Sequence, residues 1–141
     1  MKIQQLSLFL ENKPGRLQEA FEAIGQSGVN VESTTLVEAG DFGILRALVK
    51  DVDKAYEALS ARFTVKKSDV LAIQADDAPG ALAKILAIFA KDELVNVEYL
   101  YGFTSKKGIG AIIMSVNAPT KAVELLAQGN VKLLSSDELF S

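Results

Sequence analysis

One seven-residue stretch recurs in this chain. Glu11-Asn12-Lys13-Pro14-Gly15-Arg16-Leu17 has a second copy in Asp76-Asp77-Ala78-Pro79-Gly80-Ala81-Leu82. Before each copy apolar and polar residues alternate; after each, apolar residues return every three or four positions. The first period belongs to a strand with one buried face, the second to a helix with one apolar stripe, so each copy is a strand-to-helix turn. A turn used twice in equivalent surroundings implies a tandem repeat, and whatever the first half folds into the second should fold into too.

The elements of the first half follow in order. Leu6, Leu8 and Leu10 alternate with Gln5, Ser7 and Phe9, and after the turn Leu17, Ala20, Phe21 and Ile24 form a helical stripe. Gly28 is placed to end that helix. Val29 to Val37 and Phe42 to Val49 flank a short turn containing Gly40, the signature of a hairpin. Val52, Ala55, Tyr56 and Leu59 restore the helical spacing, with Asp51 or Asp53 as cap, and Phe63 to Lys67 reads as a closing strand. The second half answers residue for residue: Leu71, Ile73 and Ala75, then Leu82, Leu86 and Phe89, Val95-Asn96-Val97, Gly110, Ala122 and Leu126. Val131 to Leu134 would be its last strand and Asp137 to Ser141 a short tail. The expectation is an α+β protein of two tandem ferredoxin-like βαββαβ domains, residues 1–68 and 69–141, each an antiparallel sheet with helices on one face.

Composition narrows the function. The 141 residues are 49% hydrophobic and 23% charged, the balance of a folded globular chain, and each half is small enough that its core alone is marginal. Association, most simply as a homodimer, is therefore expected. The net charge is −3 and the basic residues do not cluster beyond Lys66-Lys67 and Lys106-Lys107, so nucleic acid is not an expected partner. The start, Met1-Lys2-Ile3-Gln4-Gln5, lacks the apolar core of a secretion signal, and no apolar run reaches membrane-spanning length, so a cytoplasmic protein is expected. Without cysteine or histidine the commonest nucleophile, general base and metal ligands are missing; no catalysis, cofactor or metal is expected. Gly108-Ile109-Gly110 lacks the later glycine of a phosphate loop and precedes no helix.

The turns themselves have chemistry to offer. The first backbone N–H groups of a helix lack partners and carry the positive end of the macrodipole, and a glycine lets a ligand approach them. With Pro14 or Pro79 in the first helical turn, such a start is a cradle for a small carboxylate. Asn12 and Asp77 supply side-chain oxygens suited to an ammonium group, although the same residues are equally suited to closing an Asx-turn. Asn30 and Asn96 open the second strand of each half, where they could instead satisfy strand-end backbone groups.

Asn12-Lys13-Pro14-Gly15-Arg16-Leu17, a helix, then Gly28-Val29-Asn30-Val31 in a βαββαβ unit resembles the ACT domain, a small-molecule regulatory module of amino-acid metabolism. Asp77-Ala78-Pro79-Gly80-Ala81-Leu82 with Val95-Asn96-Val97 resembles it again, so the resemblance covers the whole chain as a tandem ACT protein. It implies an amino acid held between paired domains, the first-turn backbone of one taking the charged end and the start of the second strand of the facing domain completing the pocket. Carried over residue by residue, it points to Asn12, Gly15, Arg16, Leu17, Asn30 and Val31 in the first half. In the second half it points to Asp77, Gly80, Ala81, Leu82, Asn96 and Val97. Asp77 and Ala81 replace Asn12 and Arg16, so the turns are not equivalent, and the first is the better candidate. Two functions fit: an amino-acid-binding allosteric regulator, or a structural subunit that docks on a metabolic enzyme with its pockets empty. The Tyr99, Tyr101 and Phe103 face of the sixth strand would serve the second if exposed, or lie buried under helices or at the domain junction.

Overall fold

The computed structural model describes residues 2–141, and they divide into two compact units. The first is Gln4–Ser68; the second is Asp69–Ser141 together with the N-terminal residues up to Ile3.

In the first unit, Leu6, Leu8 and Leu10 project from one side of β1 (Ile3–Glu11) into the core, all at most 3% exposed. The helix α1 (Arg16–Gln26) and the helix α2 (Val52–Ser60) meet them with Ala20, Ala23, Ile24, Ala55 and Leu59. Leu17, expected in that stripe, stays 37% exposed at the open end of α1, and Ala23 is buried instead. Gly28, at φ +81, follows the cap residue Ser27, and its N–H donates to the Gly25 carbonyl (3.0 Å), a left-handed helix stop. The strands β2 (Val31–Ala39) and β3 (Phe42–Val49) form the expected hairpin, antiparallel from Val31↔Val49 to Ala39↔Phe42. Gly40 is at φ +68 in the first central position of its two-residue turn, as a type II′ hairpin requires. β3 also pairs antiparallel with β1, and the strand order is β2-β3-β1-β4, with β4 spanning Thr64–Gln74. Asp51 caps α2, its Oδ1 accepting from the Lys54 N–H (3.2 Å).

The strand β4 (Thr64–Gln74) differs from expectation in being one element: the closing strand of the first half and the opening strand of the second run together through Ser68 without a break. In the second unit the order is β4-β6-β5, with β5 (Val97–Thr104) and β6 (Gly110–Val116) antiparallel. The helix α3 (Ala81–Ala90) and the helix α4 (Pro119–Gln128) cover Leu71, Ile73 and Met114 with Ile85, Phe89, Ala122 and Leu126. Ser105 ties the β5–β6 loop, its Oγ accepting from the Ile109 N–H (3.0 Å) and its N–H donating to the Ile109 carbonyl (2.9 Å).

The end of the chain departs furthest from the sequence reading. The expected strand at Val131 to Leu134 is reduced to a single bridge, Ile73↔Leu133, flanked by Gln74 N–H to the Lys132 carbonyl and Leu134 N–H to the Ala72 carbonyl. The supposed tail is a helix, α5 (Ser136–Phe140), started by a capping box in which Ser135 and Glu138 satisfy each other's backbone N–H groups. Phe140 meets the ring of Phe103 edge-on at 6.3 Å. Tyr101 and Phe103 pair with Ile113 and Ala111, the side of the sheet opposite to Met114 and the helices α3 and α4, so α5 reaches the second face. That aromatic side is therefore covered: Tyr101 is buried and Phe103 half-buried.

Glu138 holds α5 electrostatically as well. The hydrogen bond from Lys132, and then those from Ser135, keep its carboxyl below the ordinary carboxylate range. A carboxyl whose folded value is depressed contributes stability above its unfolded value, near 4.5, and loses it as pH falls through the lower folded value. The Phe103 and Phe140 ring resonances should report α5 releasing only below that range. Lys132→Gln should move the release to higher pH; an unchanged pH profile would count against this account.

Candidate functional site

The β1–α1 turn is built by hydrogen bonds between backbone groups. The Asn12 N–H donates to the Asp41 carbonyl in the β2–β3 turn (2.8 Å), which anchors it to the neighbouring hairpin. Lys13 N–H donates to Glu11 (2.8 Å), Arg16 N–H to Lys13 (3.3 Å) and Glu19 N–H to Gly15 (3.0 Å). Gly15 is the N-cap of α1, at φ +89, so it stands outside the helix and Pro14 precedes it; the expectation of proline inside the first turn is corrected. The reason is local: the reversal between strand and helix needs a left-handed residue, which only glycine adopts without strain. A glycine cap carries no side chain, and no side chain caps α1, so the N–H groups of Leu17 and Gln18 remain available to a ligand. A pocket of about 320 Å³ opens beside them, lined among others by Leu10, Asn12, Leu17, Leu36, Glu38 and Gly43.

The β4–α3 turn repeats three of these four bonds. Ala78 N–H donates to Asp76 (2.9 Å), Ala81 N–H to Ala78 (3.2 Å) and Lys84 N–H to Gly80 (3.0 Å), with Gly80 as an uncapped N-cap at φ +81. Asp77 is exposed, as Asn12 is, and among the described residues neither side chain closes an Asx-turn.

Side chains break the equivalence. Arg16 does not face the pocket: its guanidinium lies over the Phe63 ring, 5.1 Å from the centroid, and bonds Glu19 at 2.6 Å. Its Nε is buried without a partner, so Arg16 works as a wall of the first unit. Lys13 pairs with Glu11 at 2.8 Å, and that hydrogen bond, followed by the lysine charge, holds the Glu11 carboxyl below the ordinary range. In the second unit Ala81 leaves the place of Arg16 empty. A pocket of about 390 Å³ opens there, lined by Asp76, Ala81, Lys84, Asn130 and Lys132 among others. A second pocket, of about 730 Å³, lies on the other side of the turn and includes Asp77 and Phe103.

The starts of the second strands lie elsewhere. Val31 pairs with Val49, whereas the turn end of the sheet carries Glu11↔Phe42 and Ala39↔Phe42. β2 has nine residues, so Asn30 and Val31 are roughly 25 Å along the strand from Asn12, Gly15 and Leu17. Asn30 donates to Glu32 (3.4 Å) beside a pocket of about 490 Å³ that also takes in Lys50 and Lys54. Asn96 and Val97 are likewise at the far end of β5 from its hairpin, Val97 pairing with Val116 and Thr104 with Gly110. Asn117, not singled out from sequence, pins that end: its Oδ1 accepts from the Asn96 N–H (2.7 Å) and its Nδ2 donates to the Leu94 carbonyl (3.1 Å). Each unit therefore keeps its strand-to-helix turn and the start of its second strand apart. Lys84 and Lys132 were also missed, although a lysine at the position equivalent to Glu19 was a legible sign of changed charge.

The cap glycines allow a sharp test. A Cβ built on Gly15, Gly80 or Gly25 meets nothing within 4 Å, so only backbone preference decides. Gly15→Ala and Gly80→Ala should each destabilise by about 1–2 kcal/mol in urea unfolding. Gly25→Ala, inside α1, should stabilise by about 0.5–1 kcal/mol. The same change with the same sign at all three would refute the assignment of the caps.

Among the described residues no group of acidic, cysteine or histidine side chains is arranged to hold a metal, and no helix is long and apolar enough to cross a membrane. No curated protein matches the chain. Among solved structures, the crystal structure of protein BT0572 from Bacteroides thetaiotaomicron is 38% identical, aligned over 100% of this chain and 97% of that one with a TM-score of 0.89. The ligand-free regulatory subunit of aspartate kinase from Thermus thermophilus is 17% identical over 89% of this chain and 91% of its own, with a TM-score of 0.62, a likeness of fold. A family model described as an ACT domain pair matches residues 1–141. With both halves folded as ferredoxin-like units around duplicated glycine-capped turns, the chain belongs to the ACT domain pair family.

Proposed function

We propose that this protein, with residues 1–68 and 69–141 as its two ACT domains, is a non-catalytic amino-acid-binding regulator of the cytoplasm. The ligand sits between a strand-to-helix turn of one domain and the start of the second strand of a facing domain, most simply one supplied by a homodimer. The observation that carries this reading is the first turn itself: Gly15 leaves two α1 N–H groups uncapped beside an open pocket, with Asn12 exposed next to them. The carboxylate would take those N–H groups and the helix dipole, and the Asn12 amide oxygen would take the ammonium group. Asn30 and Val31, about a strand's length away within the unit, would come from the facing copy, which makes binding and assembly one equilibrium. Gly15 and Leu17 would act through backbone and contact. Arg16 would hold the turn in place from behind, through Phe63 and Glu19. Asp77, Gly80, Ala81, Leu82, Asn96 and Val97 form the corresponding half-sites of the second domain, drifted from this role where Asp77 would repel a carboxylate.

A thermal-shift screen of the twenty amino acids tests the proposal. At ten times its dissociation constant a ligand adds about 1.4 kcal/mol and raises Tm by several degrees. Asn12→Ala should remove that shift and Asp77→Ala should leave it. If no amino acid stabilises the protein at millimolar concentration, the reading fails.

A second reading, a subunit docking on a metabolic enzyme with no ligand of its own, has one observation in its favour. Phe9, Ile44 and Val37 stand in register across the first sheet, and Phe9, Val37 and the nearby Phe42 are 45–52% exposed. Under this reading Phe42→Ser would abolish co-sedimentation with such an enzyme, and no amino acid would stabilise the protein.

A further inference from the structure

The two turns share three equivalent backbone hydrogen bonds, so their side chains can be compared position by position. The first turn carries two ion pairs, Lys13–Glu11 at 2.8 Å and Arg16–Glu19 at 2.6 Å. The positions equivalent to the two cations are Ala78 and Ala81. The position equivalent to Glu11 is still acidic, Asp76, whereas that equivalent to Glu19 has become Lys84. Both pairs have thus been dismantled in a way that leaves one anion and one cation. Among the described residues neither Asp76 nor Lys84 has an ion-pair partner, and they stand too far apart to pair with each other at 4.0 Å. Both line the same pocket of about 390 Å³.

The space between them is the space Arg16 fills in the first unit, where its guanidinium lies against Phe63. After one extra residue at the end of α4, Phe63 is answered by Val131, which packs against the second core, and the pocket gains room from the smaller side chain. Ile85, 5% exposed, and Val131 give it an apolar lining. Its far wall begins at Asn130, which turns the chain at φ +57. The Lys132 carbonyl then accepts from Gln74 (2.9 Å), and its ammonium is engaged by Glu138 at 2.8 Å. Lys84 and Asp76 are thus the two charges of the pocket left to a ligand.

We infer that the second unit holds a self-contained pocket for a small zwitterion, its carboxylate on Lys84, its ammonium on Asp76 and its aliphatic part on Ile85 and Val131. This rests on the reading of the protein as an amino-acid binder, but it needs no facing domain and uses neither Asp77 nor Asn96. The chemistry is shared by α-amino acids and by ω-amino acids with more widely spaced charges.

Titration of the full ¹⁵N-labelled chain with L-alanine and with 5-aminopentanoate tests it, with pentanoate and pentylamine as singly charged controls. At least one zwitterion should move the amide resonances of Ala81 to Ile85 and Asn130 to Lys132, and the controls should bind about tenfold more weakly or worse. Asp76→Asn and Lys84→Gln, both surface changes, should each weaken binding about tenfold. The double variant Ala81→Arg, Lys84→Glu, which restores the Arg16–Glu19 pair of the first turn, should close the pocket. Movement confined to Asn12 to Gln18 and Asn30 to Val31 would overturn this inference and leave the interface reading standing. No movement anywhere would overturn both. Binding at Ala81 to Ile85 undiminished by Asp76→Asn and Lys84→Gln would overturn the assigned roles, whether or not the double variant folds.

Discussion

Everything distinctive about this molecule depends on a glycine at positive φ between the end of a strand and the start of a helix. At φ +89 and +81 respectively, Gly15 and Gly80 turn the chain sharply enough to lay α1 and α3 back across the strands they follow. The same requirement works against a capping side chain at that position, because a residue with a Cβ is strained at positive φ and capping side chains reach the helix N–H groups from extended backbone. The geometry that folds each unit therefore also leaves helix N–H groups unsatisfied at its surface. Fold and binding potential come from one constraint.

Duplication preserved that constraint while releasing the side chains around it. In the first unit Lys13–Glu11 and Arg16–Glu19 keep the turn's charges paired, and Arg16 seals the space over Phe63. Surface pairs of this kind contribute little to stability, so their loss in the second unit costs the fold little. What changes is the surface: a filled corner becomes a pocket, and neutralised charges become free ones. The sheet faces diverged too. Phe103 is covered by Phe140 of α5, whereas Phe9, Val37 and Phe42 of the first unit remain open.

A nine-residue β2 in the first unit and an eight-residue β5 in the second separate each turn from its strand start by far more than the length of an amino acid. A ligand that needs both must therefore find them on different domains, and its binding then favours whichever arrangement juxtaposes them. Under the proposed function, ligand binding would then report on which domains face one another.

The sequence by itself determined the local and periodic features: two strand-to-helix turns, the alternation of Leu6, Leu8 and Leu10, the Gly40 hairpin and the repeat that unites them. These are legible because a period of two or 3.6 and a glycine-only backbone angle leave marks within a few residues. Tertiary structure decided what depends on partners distant in the chain. Arg16 read as a site residue until Phe63 placed it in a wall. The final residues read as a tail because five residues make too short a helix for periodicity to reveal, and contacts with Phe103 and Lys132 help to hold them. The pocket at Asp76 and Lys84 requires Val131 and Lys132, brought there by the return of α4 across the sheet. Spacing along a chain does not encode that juxtaposition; packing does.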